Sequence, residues 1–433
     1  MKSSSMQRLR LFPLWQPLST RGFRLFWIGQ SVSLFGDQFY RIALPYLVLS
    51  LTNSNLALSS VYLVSSAVRA VFQLLGGALS DRFSPRALML ISNASGAIVT
   101  GLTGVAVYLN IAQPWHLYIL AAVFGLIDAM FYPAYMSATP LLLIKEQLVA
   151  GNALLRSTVR LMSIIGPTAA GFVVTRMGYS AAFALDAATF VFAAFMLWIM
   201  KMEKVEEDNQ GALEASTEKE AIAEKEASTE KKGLLVSIGE GLRYARSNTQ
   251  LKMLFLFMAF FEFAVTGSIQ IGLPILAKQQ YGIERGPEIY SWMVSSFGAG
   301  ILLGMLLSGS LDTAKWRGRM TIGLTLVMGG GLILLGFTVR IAAICPLLFI
   351  IGFGGGALGI ILQARIQMNT EKRMMGRVMS LLMLGVLIVE LISYALAGLL
   401  SEAKLPMVFI VSGAMMLISS LIAFISRTIK ASS

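Results

Sequence analysis

The sequence predicts an all-α membrane protein of twelve transmembrane helices in two pseudo-symmetric six-helix bundles, and three observations predict it. Of 433 residues, 56% are hydrophobic and 13% charged, whereas a soluble domain has about 25% charged residues. Apolar blocks of about 20 residues, enough to cross a bilayer as a helix, recur with short polar breaks. The second half of the chain also echoes the first. Ala43-Leu44-Pro45 matches Gly272-Leu273-Pro274, Leu63-Val64-Ser65-Ser66 matches Met293-Val294-Ser295-Ser296, and Asp81 matches Asp312. All three matches share an offset of about 230 residues, and duplicated parallel halves place a transport site between them at mid-membrane.

The tail at residues 1–24 mixes Arg8 and Arg10 with Leu9, Leu11, Phe12, Leu14 and Trp15. It can lie along a membrane face as an amphipathic segment, although Pro13 and Pro17 break a continuous helix. No long apolar core follows its arginines, so no cleavable signal peptide is expected. The N-terminal bundle is expected over residues 25–200. Its first helix, Phe23 to Leu51, carries Asp37 and Arg41 near its centre, four residues apart and so on one face. Each charge would cost roughly 2.5–3.5 kcal/mol in lipid, so that face must meet protein or water. Two readings stand: an internal ion pair that holds helices together, or a titratable group in a polar cavity.

After an outer turn at Thr52-Asn53-Ser54-Asn55, a second helix runs from about Leu56 to Leu79 with Arg69 at mid-depth. The third spans about Pro85 to Tyr108, and the fourth about Trp115 to Leu142 with Asp128. The fifth begins near Gly151 and carries Arg156 and Arg160; the sixth covers about Tyr179 to Met200 with Asp186. Asp128 and Asp186 are read as structural. Residues 201–250 form a charged, partly disordered linker, in which Glu214-Ala215-Ser216-Thr217-Glu218-Lys219 recurs as Glu226-Ala227-Ser228-Thr229-Glu230-Lys231.

The C-terminal bundle is expected over 251–427, with a short tail at 428–433. Its helices are placed at about Leu251–Ala277 with Glu262, Tyr290–Leu311, Met320–Val339, Cys345–Ile366, Val378–Leu400 with Glu390, and Pro406–Ser426. With both termini cytoplasmic, about 26 of the 35 Lys and Arg residues fall inside and about five outside. The net charge of +12 is therefore a topology signal in an inner, cytoplasmic membrane, and no nucleic acid is expected as a partner.

The loop after the second helix reads Gly77-Ala78-Leu79-Ser80-Asp81-Arg82-Phe83-Ser84-Pro85-Arg86. Through Gly77, Asp81, Arg82 and Arg86 it resembles the signature of the major facilitator superfamily, with Ser84 and Pro85 where that family has Gly and Arg. The resemblance implies the major facilitator fold and a cytoplasmic gating loop that latches the halves, echoed by Asp312 and Arg317. On physical grounds Arg82 and Arg86 would meet acidic groups or lipid phosphates. Gly166, Pro167 and Gly171 resemble the Gly-Pro motif of the superfamily's antiporters; a Pro frees a backbone carbonyl, and small residues allow close packing. Gly36-Asp37-Gln38, Leu51-Thr52-Asn53-Ser54 and Gly376-Arg377-Val378-Met379-Ser380 resemble the macrolide and siderophore exporter branch of its drug:proton antiporters.

Gly354-Gly355-Gly356-Ala357-Leu358-Gly359 spells a dinucleotide-binding pattern but lies in an apolar helix with no preceding strand, so it reads as helix packing. Gly300 and Gly304 read likewise. The chain has no P-loop for ATP, one His and one Cys, so no enzyme activity, metal or cofactor is expected. The central-cavity and proton-coupling candidates are Asp37, Arg41, Arg69, Glu262 and Glu390. The expectation is a secondary active, proton-coupled exporter of an amphipathic small molecule (a drug, macrolide or siderophore), multidrug in type and functional as a monomer. Its partners would be that molecule, protons and the lipid bilayer. The alternative of the same fold is a lipid or lysophospholipid carrier, or a nutrient importer.

Overall fold

The computed structural model describes residues 13–80, 84–200, 234–310, 317–371 and 374–425. A short 3-10 helix, Pro13–Ser19, precedes α1 (Arg21–Thr52), α2 (Asn55–Ser80), α3 (Pro85–Tyr108) and α4 (Pro114–Leu142). The stretch Lys145–Ile199 breaks at Gly178, whose φ is 84°, into α5 (145–177) and α6 (179–199). In the second half, Thr249–Gly267 continues through a π-helical turn, Ser268–Gly272, into Leu273–Ser310. That run breaks at Gly282, φ 78°, giving α7 (249–281) and α8 (283–310). Then come α9 (Arg317–Leu335), α10 (Ile341–Met368), α11 (Met375–Ala403) and α12 (Leu405–Ile425).

Nine helical stretches among the described residues are long and apolar enough to cross a bilayer. Two of them are the broken runs, each crossing twice, and α1 completes the twelve despite its charges. At about 1.5 Å per residue, the 32 residues of α1 exceed the roughly 30 Å hydrocarbon core. Large apolar side chains such as Leu102, Phe172, Val191, Leu306 and Leu421 stay exposed, as a lipid-facing surface requires.

The turns at Asn53, Asn110, Gly178, Gly282, Thr338 and Lys404 share one face, here the tight-turn face. Both ends of the described chain lie on the opposite, tail face. The duplication is visible in the backbone. Asn53, in the left-handed region at φ 50°, ends α1, and Gly282 ends α7 about 230 residues later. Helices approach closely where a side chain is missing. A Cβ on Gly300, Gly304, Gly352 or Gly356 would lie 2.1 Å from a backbone oxygen of the facing helix, so α8 and α10 pack backbone to backbone.

Two expected boundaries differ by six residues or more, and the end of the expected partly disordered linker, Leu234–Ser247, is an α-helix. The fifth helix begins at Lys145 rather than near Gly151, and α8 begins at 283 rather than near Tyr290. Both extensions are polar helical turns reaching past the apolar span. Asp81, Arg82, Asp312 and the linker at 201–233 lie outside the described residues.

Candidate functional site

One face of α1 presents Gln30, Ser33, Asp37 and Arg41 to a cavity of about 200 Å³. The spacing of three and four residues aligns them in a single stripe. From α2 come Tyr62, Ser66 and Arg69, and from α4 Phe124, Asp128 and Phe131. The second half adds Gln270 from the π-helical turn and Glu390 and Tyr394 from α11. Arg41 and Asp128 are exposed although they sit mid-span, and both line this cavity. Three carboxylates and two guanidiniums thus share one cavity deep in the fold.

Glu390 is the best-satisfied of the acids. Its Oε1 accepts from Ser66 Oγ and from Tyr394 Oη, each at 2.9 Å, and its Oε2 is ion-paired with Arg69. This cluster joins α2 to α11 across the two halves. Tyr62 and Tyr394 meet across the same boundary with ring centroids 5.4 Å apart. Tyr40, also on the cavity wall, stacks on Phe124 at 4.0 Å with nearly parallel rings, which gives the space a flat aromatic side.

The structure brings Asp37, Arg41, Arg69 and Glu390 to this cavity but not Glu262. That residue accepts from Thr266 Oγ1 at 2.9 Å and does not line the cavity, but it lies within electrostatic reach of Glu390 and Arg69. Asp128, read as structural from the sequence, is on the cavity wall. Asp186 is fully buried, and neither carboxylate oxygen has a hydrogen-bond partner. Gln270 escaped the sequence reading, yet a signal existed: it stands about 230 residues after Arg41, the offset of the internal duplication.

The motif residues also find their places. Gly166 packs on Gln38 of α1, with Pro167 buried beside it, while Gly171 packs on Ser291 and the Pro287 carbonyl of α8. Arg86, expected to meet an acidic group or a lipid phosphate, instead donates to the Leu197 and Trp198 carbonyls at 2.8 and 2.6 Å. A cation at a helix C-terminus satisfies carbonyls that lack a helical partner, so Arg86 ties α3 to the end of α6. Gly77 ends in the last turn of α2 and Arg317 opens α9. Among the described residues, no group of three or more His, Cys, Asp or Glu side chains could hold a metal ion.

Contacts that join the halves run from mid-depth to the tight-turn face. Thr168 Oγ1 and Ser295 Oγ are 2.9 Å apart, and Tyr46 donates to the Pro274 carbonyl at 3.2 Å. Lys278 donates to Asn53 Oδ1 at 2.7 Å, Asn55 to the Ser401 carbonyl at 3.1 Å, and the Leu56 N–H to Glu402 at 3.3 Å. The cavity lies on the tail side of these contacts, reaching Gln30 and Asn93.

A family model described as Major Facilitator Superfamily matches residues 26–389 and, in a second overlapping match, 285–433. The chain is 26% identical over 369 residues to macrolide efflux protein A of Streptococcus pyogenes, covering 83% of this chain and 84% of that protein. It is 24% identical over 349 residues to the multidrug efflux pump Tap of Mycolicibacterium fortuitum, covering 79% and 80%. A shorter match, 26% over 172 residues, covers 39% of this chain and 41% of the enterobactin exporter EntS of Salmonella typhi. In three dimensions it is similar to an inward-facing, occupied bacterial homologue of the human lysosomal transporter Spinster, with a TM-score of 0.74 at 12% identity. That match covers 96% of this chain and 98% of the other.

Proposed function

Because the chain belongs to the Major Facilitator Superfamily, we propose that it is a proton-coupled exporter of an amphipathic small molecule, working by alternating access. The observation that carries this reading is the mid-span meeting of Asp37, Arg41 and Asp128 in one cavity, to which Arg41 and Asp128 are exposed. Carboxylates held there at a cost of several kcal/mol have the chemistry of a site that exchanges protons. Export is supported by the similar proteins, which are named for efflux of macrolides, of several drugs and of enterobactin. The substrate class is therefore a bulky amphipathic drug, macrolide or siderophore. The aromatic wall of Tyr40, Phe124 and Tyr62 suits such a molecule. At about 200 Å³ the cavity is smaller than the ~300–1,000 Å³ of a drug-sized pocket, so loading requires it to widen.

The charge bias supports a tail face in the cytoplasm and the protein in the inner membrane, both termini cytoplasmic, with the monomer as working unit. On that reading the structure is in its inward-facing state, with the contacts around Tyr46, Lys278 and Glu402 as the closed outer gate. The loop with Gly77, Asp81, Arg82 and Arg86, and its echo at Asp312 and Arg317, would close the inner side in the other half of the cycle. Arg156 and Arg160 would face the cytoplasmic vestibule or lipid phosphates.

Substrate enters from the cytoplasm and competes with protons for Asp37, with Arg41 one helical turn away stabilising the carboxylate when the proton leaves. The test is transport by the purified protein in vesicles under an imposed pH gradient. Wild type is expected to accumulate substrate only with the gradient, and Asp37→Asn to lose that gradient-driven accumulation. Gradient-independent accumulation by wild type would refute the proton-coupled reading.

A further inference from the structure

Asp186 of α6 is fully buried, and both its carboxylate oxygens lack a hydrogen-bond partner. The hydroxyl three residues on is committed elsewhere: Thr189 Oγ1 donates to the Asp186 backbone carbonyl at 2.8 Å. Opposite, α1 packs so tightly that a Cβ on Gly36 would lie 1.7 Å from Thr189 Oγ1. This crossing brings Asp186 within electrostatic reach of Asp37 and Tyr40 on α1. On its other side, α3 meets α6 through Gly101 and Gly104, against Ala187 and Phe183, and presents no charged group there. Asp128 of α4, one helical turn from Phe124, lines the cavity, which Asp186 does not.

An ionised carboxylate in a dry site with no donor and no cation costs several kcal/mol, a cost that the neutral acid avoids. Asp186 does not line the cavity, whereas Asp37 does. We propose that Asp186 is a second proton-carrying group of the transport cycle, standing behind Asp37 and exchanging its proton with water only through Asp37. In the forward step the O–H bond at Asp37 breaks while one forms at an ionised Asp186, and the reverse step returns the proton. The pair's total charge is unchanged in either direction. The inference rests on the proton-coupled reading of the cavity.

The experiment combines infrared difference spectroscopy of carboxyl C=O bands with vesicle transport, on wild type, Asp186→Asn, Asp186→Glu and Asp37→Asn. Wild type is expected to show an acid band that exchanges in deuterium oxide. Asp186→Asn should delete it, Asp186→Glu should shift it, and Asp37→Asn should slow its exchange. Asp186→Asn should also lose pH-driven accumulation while keeping downhill substrate flux. A band that survives in Asp186→Asn, or an unchanged pH profile in that variant, overturns the inference and leaves Asp37-based coupling standing. If Asp186→Asn does not fold, an unshifted band in Asp186→Glu overturns it instead. Wild type that ignores the pH gradient removes both readings together.

Discussion

The Arg69 guanidinium of α2 is ion-paired with the Glu390 carboxylate of α11, which ties the two halves together at mid-depth. The side chains are only 28% and 12% exposed, so each charge depends on the other. Breaking a fully buried pair costs about 3–5 kcal/mol, and partial exposure reduces this to roughly 1–3 kcal/mol here. Arg69→Gln and Glu390→Gln are each expected to lower thermal stability in detergent by that order. The double variant should recover most of it, giving a clear coupling energy in a double-mutant cycle. Transport should not recover with stability, because Glu390 would no longer hold Ser66, Tyr394 and Arg69 around one carboxylate.

Asp128 tests the electrostatics of the cavity without touching that pair. With Asp37 and Glu390 it outnumbers Arg41 and Arg69, so the ionised site favours a cation. Asp128→Asn should weaken binding of a cationic amphipathic substrate by about three- to tenfold, and of a neutral analogue by less than about twofold. Fluorescence binding titrations with a matched cationic and neutral pair would measure this; equal losses for both would contradict it.

The helices were legible because a span of about 20 apolar residues announces itself in any order. The charged stripe of α1 was legible for the same reason, since Asp37 and Arg41 violate the apolar rule. What faced them was not. The π-helical turn at Ser268–Gly272 adds a residue to one turn of α7 and rotates everything after it by about 100°. Gln270, inside that turn, lines the cavity, whereas Glu262, upstream of it, stays off the wall but within electrostatic reach of Arg69 and Glu390. The partners of Arg86 were hidden for another reason: they are backbone carbonyls, which carry no residue identity. Gly356 was readable as a packing residue, but only the structure shows that Ile301 of α8 receives it.

At the tight-turn face the second half supplies opposite charges to two helix ends of the first. Lys278 sits at the C-terminus of α1, against Asn53 Oδ1, and Glu402 at the N-terminus of α2, against the Leu56 N–H. Each sign complements the helix dipole, worth about 0.3–1 kcal/mol at an exposed site. Losing both in Lys278→Gln/Glu402→Gln should shift the ratio of open to closed at that mouth by roughly 3- to 30-fold. Spin labels at Tyr108 and Phe337, both exposed on this face, would read it as a larger population of long distances. An unchanged distance distribution would show that the remaining contacts, Tyr46 to Pro274 among them, hold the mouth unaided.

Gly36 and Thr189 set how closely α1 crosses α6, and so how near Asp37 lies to Asp186. A Cβ at position 36 would stand 1.7 Å from Thr189 Oγ1 and 2.7 Å from its Cβ. Gly36→Ala must therefore push the helices apart, and overpacking of this kind costs about 1–3 kcal/mol. Thr189→Ala removes the hydroxyl but leaves the 2.7 Å contact, so it should rescue stability only in part. Thr189→Gly removes both and should rescue it more fully, minus about 1 kcal/mol for glycine inside a helix. Thermal unfolding of the two double variants would rank them in that order. Partial rescue by Thr189→Gly no better than by Thr189→Ala would mean that the crossing distance is set elsewhere along α1, at Gly29 against Met196, where a Cβ would lie 2.9 Å away.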